Sequence, residues 1–295
     1  MTNEHFTCVE HFVPREYLIG FTSDGKMIYE HDLRGEIQIH NPVDIYKVCQ
    51  KKHLYEYRDE KGEFVDRNYL ERIMADMERP FKTFRSDVEK KAFIESNYSS
   101  TMFLTGREKK YIKAYITLQI MRSPQIIQSI EDEVRAEYGD ALKPNEARSI
   151  ALTDALPFFK NLPNEYGHLH RKIFSTIMNM DIAVGVDKAD SIFTSDFPVC
   201  CEGSDNDDFR QCEKIIYPLT SSLLIILRGG KLKVPGEKNL LFPLDRKHLL
   251  DAKFSIASAA NRWIYSKRPL SAEEKQIITM AHADKTQNEN NQESI

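Results

Sequence analysis

Four side chains have the types needed to move a proton or hold an anion: His11, Glu78, Arg122 and Asp196. An imidazole titrates close to neutrality, so His11 is a candidate general base. Its structural alternative is to cap the short helix opening at Pro14 or to bond a backbone carbonyl. Asp196 lies in Thr194-Ser195-Asp196-Phe197-Pro198, where a strand end would set a carboxylate and two hydroxyls at the rim of a cleft. The same residue types also stabilise turns by bonding local N–H groups, with Pro198 fixing the exit. Arg122 ends an apolar helix and keeps its charge, so its burial demands an acidic partner or a bound anion. The simpler role for it is a cation at the helix C-terminus. Glu78 is either a working carboxylate or half of an ion pair with Arg122. Thr194, Ser195 and Asn261 are candidate binding residues, and Asn261 would equally serve by bonding a neighbouring loop.

If the fold gathers His11, Glu78, Arg122 and Asp196, they supply a base, a carboxylate and an anion clamp. That reading is a hydrolase or nuclease-like effector. The opposing reading is a non-catalytic ligand- or protein-binding regulatory module whose motifs are structural. Neither comes with an established signature, since no GxGxxG, GxxxxGK[ST], GxSxG or HExxH is present. RGGK at 228–231 follows a strand pattern with no helix behind it, and GREKKYIK at 106–113 reads as a solvated face beside a core stripe. No cofactor is implied. His168 and His170 are the nearest paired metal ligands and lie far from the cysteines, so no metal site is expected. Mg²⁺ would enter only if Glu78 and Asp196 converged.

The net charge of −4 provides no global field for nucleic acid or an anionic membrane. The partner is left open between a small molecule and nucleic acid, with no membrane. The amino-terminus lacks the basic start and apolar run of a signal peptide, and the longest apolar run, at 223–227, is strand-sized. Five cysteines, odd in number and without CxxC spacing, read as reduced thiols in a cytoplasmic setting.

The elements that must position these residues change period along the chain. A short helix at 11–21, a turn at 22–25 and strands at 26–33 and 35–40 open the sequence, the two strands reading as a hairpin. A short helix from Asp44 and a small hairpin turning at Lys61-Gly62 follow. From about 66 the apolar spacing becomes helical, giving helices through 180, and the stretch from Glu108 to Met121 has the broadest apolar face. That helix must stop at Arg122-Ser123-Pro124, because the residue before proline is pushed out of the α region. Strands return at DIAVGVD, SIFTSDFPV and KIIYPLTSSLLIIL, and a helix from 245 to 265 closes the fold. This order predicts one α+β domain over 1–268, with one mixed sheet packed on the helical middle (two separate β units around an all-α insert being the alternative) and a disordered polar tail over 283–295.

HFVPREYLIGF at 11–21 resembles the HYVP-type amino-terminal signature of the bacterial family catalogued as domain of unknown function 4238. FTSDFPV at 193–199 resembles that family's TSD-x-P signature, and Glu78, Arg122-Ser123-Pro124, YPL at 217–219 and ANRWIYS at 260–266 fit its layout. Phe12 stands where the signature usually has Tyr, which removes a hydroxyl. The resemblance implies kinship of fold over about 11–266 and no reaction.

Overall fold

The computed structural model describes residues 9–35, 41–59, 61–65, 67–94, 103–143, 145–156, 167–203, 209, 211–233 and 239–292. Strand β1 (Val9–His11) runs into Pro14, whose fixed φ of −60° starts the one-turn helix α1 (Arg15–Leu18). The turn at 22–25 is held by the Asp24 carboxylate, which accepts from the Lys26 and Met27 amides at 2.9 and 2.7 Å. It leads into β2 (Met27–Asp32). Short strands β3 (Val43–Asp44) and β4 (Gln50–Lys52) follow, then β5 (Tyr57–Arg58) and β6 (Phe64–Val65), paired as a hairpin. Gly62 takes the left-handed φ of +83° in its turn.

The helical middle comprises α2 (Tyr69–Glu78), α3 (Phe81–Ile94), α4 (Gly106–Met121), α5 (Pro124–Tyr138), α6 (Glu146–Ala155) and α7 (His168–Met178). Thr105 and Glu108 form a reciprocal capping box at the start of α4. Ser123 caps α5 with Pro124 at its first position. Ile112, Tyr115, Ile116 and Ile120 of α4 are all buried, and Tyr115 stacks on Phe81 of α3 at 4.2 Å between ring centroids. Each such side chain contributes roughly 1.5–3 kcal/mol on burial.

The second half contains β7 (Asp181–Val186), β8 (Thr194–Ser195), β9 (Cys200–Glu202), β10 (Lys214–Pro218), β11 (Leu223–Arg228), β12 (Leu240–Pro243), α8 (Arg246–Ala259), β13 (Trp263–Ser266) and α9 (Ala272–Gln292). Five strands form a sheet in the order β12-β7-β11-β10-β9, with only the β12–β7 pair parallel. Four others form β3-β2-β13-β8.

The α+β class is as the sequence predicts, yet the strands divide between two main sheets and two small pairs instead of sharing one. Among the described residues, β3-β2-β13-β8 is the only sheet that takes strands from both halves of the chain. Its β13 replaces the end of the helix expected at 245–265: α8 stops at Ala259, and the aromatic and β-branched run Trp263-Ile264-Tyr265 pairs with β2 and β8 instead. The hairpin partner expected at 35–40 lies outside the described residues from 36 onward. The helix expected at Asp44 is a single 3-10 turn over Ile45–Lys47, capped by Asp44. Helix α9 continues to Gln292, with no glycine or proline after Pro269 to stop it, and residues 293–295 lie outside the described residues. Cys201 and Cys212 are also joined as a disulfide, where reduced thiols were expected; β9 and the approach to β10 bring their Cα atoms to 5.8 Å.

Candidate functional site

Arg122 is buried at 4% exposure and each nitrogen of its guanidinium has a protein partner. It pairs with Glu78 and donates to the backbone carbonyl of His11 and, at 3.2 Å, to the Tyr55 hydroxyl. Tyr55 in turn donates to the Arg122 carbonyl at 2.9 Å. Three of the four predicted catalytic residues therefore meet, but His11 enters through its main chain. Its imidazole is pushed to a lower pKa by burial and by the charge of Arg15, and its Nε2 is buried without a hydrogen-bond partner.

Asp196 is occupied elsewhere. Its two carboxylate oxygens accept from the Asn261 and Arg262 amides at 2.9 and 3.0 Å, and burial raises its pKa to about 6. Ser195 closes a local turn through the Phe197 carbonyl and amide at 2.7 and 3.2 Å. Thr194 bonds the Tyr17 hydroxyl at 2.6 Å, tying the second polar motif to the first. Asn261 contributes its amide to Asp196, and its residue borders a surface depression beside Phe12. Glu78 and Asp196 are thus engaged by different partners on different elements, which removes the condition for shared Mg²⁺. Among the described residues, no group of three or more His, Cys, Asp or Glu side chains is placed to hold a metal.

A second polar region is built differently. A cleft of about 380 Å³ is lined by side chains from five separate segments, among them Arg85 and Glu89 of α3, Asp190, Ser221 and Lys267. Beside α3 and the segment 19–22, its walls come from strand ends and turns: the loop leaving β7, the β10–β11 turn and the residue after β13. Gly20 fixes one wall, because its carbonyl accepts from the Ser221 amide at 3.0 Å and a Cβ there would lie 3.1 Å from the Leu219 carbonyl oxygen. Asp190 adopts a left-handed φ of +55°, a conformation that Asp tolerates better than most residues. There its carboxylate accepts from both the Ser221 hydroxyl and the Lys267 ammonium.

The adjoining loop is braced from behind. Asp187 accepts from the Ala189 and Ser191 amides and the Ser191 hydroxyl, at 3.0, 2.7 and 2.7 Å. Lys253, buried, donates to Ser191 at 2.9 Å and to Glu274 at 2.7 Å. Burial would raise the Glu274 carboxyl, but Arg268, Lys253 and the Ser271 amide hold it down to about 2. Inside the cleft, burial raises the Glu89 pKa, opposed by Arg85 and by a hydrogen bond from Thr220. Arg85, 8% exposed, donates to the Glu16 carbonyl.

The model of the family described as Protein of unknown function (DUF4238) matches residues 10–269. The chain belongs to the DUF4238 family. No curated protein and no solved structure matches it. The DUF4238 match runs from β1 to the residues just after Lys267, so the cleft and the Arg122 junction both lie inside it. No helix among the described residues is long and apolar enough to cross a membrane.

Sequence reading missed Arg85, Glu89, Asp190, Ser221 and Lys267. The available signal was the polar runs at strand exits, Asp187-Lys188-Ala189-Asp190-Ser191 after β7 and Thr220-Ser221-Ser222 before β11. Turn chemistry explains such runs equally well, so only their convergence in space distinguishes them.

Proposed function

We propose that this protein is a ligand-binding module whose partner is a small molecule held in the polar cleft. One observation carries the reading: four segments far apart in sequence bring Arg85, Glu89, Asp190, Ser221 and Lys267 to one cavity of about 380 Å³. That volume falls at the lower end of small-ligand sites, about 300–1,000 Å³. The polar motifs that suggested catalysis are engaged in holding the fold, which supports a structural role for Thr194, Ser195 and Asp196. Nucleic acid is a poorer fit, because Arg85, Lys188 and Lys267 share the cleft with Glu89, Asp187 and Asp190, which leaves no net positive charge there for phosphates.

The test is a melting-temperature screen of the full chain against sugars, nucleosides, amino acids, dicarboxylates and phosphate esters, with Lys267→Ala in parallel. At least one class should raise the melting temperature of the wild type and not of the variant. Equal stabilisation of both, or of neither, would overturn the reading.

A second reading, a hydrolase, is favoured by Glu10. Its carboxyl accepts from the Leu54 and Tyr55 amides through one oxygen while the other is buried without a partner. Burial raises its pKa to about 7, the range suited to proton transfer. Loss of ester or phosphodiester turnover in Glu10→Gln, with the fold intact, would favour this reading; a variant as active as wild type would remove it.

A further inference from the structure

The cleft's charges are arranged in a way that selects a ligand class. Lys267 is neutralised by Asp190. Arg85 and Glu89 lie one helical turn apart on α3, and the arginine's charge lowers the carboxyl pKa against burial. Asp187 has both oxygens taken by its own turn. Arg85, Lys188 and Lys267 face Glu89, Asp187 and Asp190 around the cleft, so its formal charges cancel and neither sign is in excess for a phosphate, a carboxylate or an ammonium. What it does offer is hydrogen bonding of both senses: acceptor capacity on Glu89, further N–H donors on Arg85 and Lys267, and the hydroxyl of Ser222.

Phe93 supplies the other half of the pattern. It follows Arg85 and Glu89 at intervals of four residues on α3, and all three line the cleft. A guanidinium, a carboxylate and an aromatic ring thus run in order along one helix stripe. Phe93 is 62% exposed, unlike Phe81 and Phe84 earlier on the same helix, which are buried. An exposed ring at the lip of a neutral, hydrogen-bonding cleft is suited to stacking on the C–H face of a saturated ring while the ring's hydroxyls reach the polar groups below.

We propose that the cleft binds a neutral, hydroxyl-rich ring with adjacent hydroxyls, as found in a free saccharide or in the ribose of a nucleoside. Glu89 accepts from one hydroxyl of the pair, Arg85 donates to its neighbour and Phe93 carries the ring face. This rests on the reading of the cleft as the ligand site.

The experiment is isothermal titration calorimetry of the full chain with D-glucose, D-galactose, D-ribose and adenosine, alongside serine and inorganic phosphate. It is repeated with Glu89→Gln and Phe93→Ala, and each variant's melting temperature confirms folding. At least one ring polyol should bind, with affinity falling about tenfold or more in each variant. Binding of adenosine alone would identify a nucleoside, and binding of the sugars a saccharide. Binding of serine or phosphate in place of the polyols, lost in Glu89→Gln, would overturn the ligand class while leaving the cleft as the ligand site. Polyol binding untouched by both variants, or no binding by any compound, would overturn the proposal. In the last case Lys267→Ala in the broader screen decides whether the cleft reading falls too.

Discussion

Around Arg122 the guanidinium, the Glu78 carboxylate and the Tyr55 hydroxyl satisfy one another, and elsewhere Asp196 and Thr194 of the second motif are bonded by backbone amides and by the Tyr17 hydroxyl. Around Glu89 the groups are similar in type, but they stand at the wall of a cavity and keep bonding capacity facing it. The bonded motifs and the cleft alike contain Arg, Glu, Asp, Ser and Thr. The difference is whether the partners are internal. A fully bonded buried network fixes a fold, since removing one member leaves the others stranded in low dielectric. A partly bonded set at a cleft wall can exchange water for a ligand at small cost to the fold.

The sharpest way to break this contrast is Arg122→Ala. It strands Glu78 and releases the His11 carbonyl and Tyr55, so a loss of about 3–5 kcal/mol is expected in urea unfolding. A loss below about 1 kcal/mol would show that the junction does not brace the fold. Asp196→Ala comes next. It leaves the Asn261 and Arg262 amides without acceptors, at roughly 2–4 kcal/mol, while Asp196→Asn should recover part of this through one amide oxygen.

Glu10 gives a pH signature. Its folded pKa of about 7 lies above the ordinary value of 4.5, so the folded state holds the proton more tightly than the unfolded chain. Its contribution to stability is complete below pH 4.5 and is lost as pH rises through 7. Glu10→Gln should therefore be more stable than wild type at pH 8, by on the order of 2–3 kcal/mol, and nearly equal to it at pH 4.5. Asp196, at about 6 against 3.8, adds a slope of the same sign at lower pH. Stability of Glu10→Gln tracking wild type across the range would remove this account. The smallest effect on stability belongs to Lys267→Ala, whose ion pair with Asp190 is 36% exposed on each side and worth about 1 kcal/mol or less. A larger loss would place the cleft among the bracing elements.

Much of the frame was legible because local rules decide it. Pro14 opens α1, Pro124 ends the preceding helix, the apolar face of α4 is buried, and Lys61-Gly62 turns a hairpin. The Glu78–Arg122 pairing was one of two readings open from sequence, and it is the one present. What local rules cannot supply is pairing across the chain. Strand β13 lies against β2 over two hundred residues away, so ANRWIYS looked like the end of a helix until its partner was known. The disulfide between Cys201 and Cys212 was hidden by the odd cysteine count. The cleft was invisible because Arg85, Asp190, Ser221 and Lys267 come from four separate segments that only the fold gathers.

The most direct test of the contrast is the ligand-induced shift in melting temperature, measured with D-glucose and adenosine on wild type, Thr194→Val and Lys267→Ala. Thr194→Val removes the hydroxyl bonded to Tyr17, so it should lower the unliganded melting temperature and keep the ligand-induced shift. Lys267→Ala should keep the unliganded melting temperature and lose the shift. Loss of the shift in Thr194→Val with its retention in Lys267→Ala would place ligand binding at the motif junction and contradict the account.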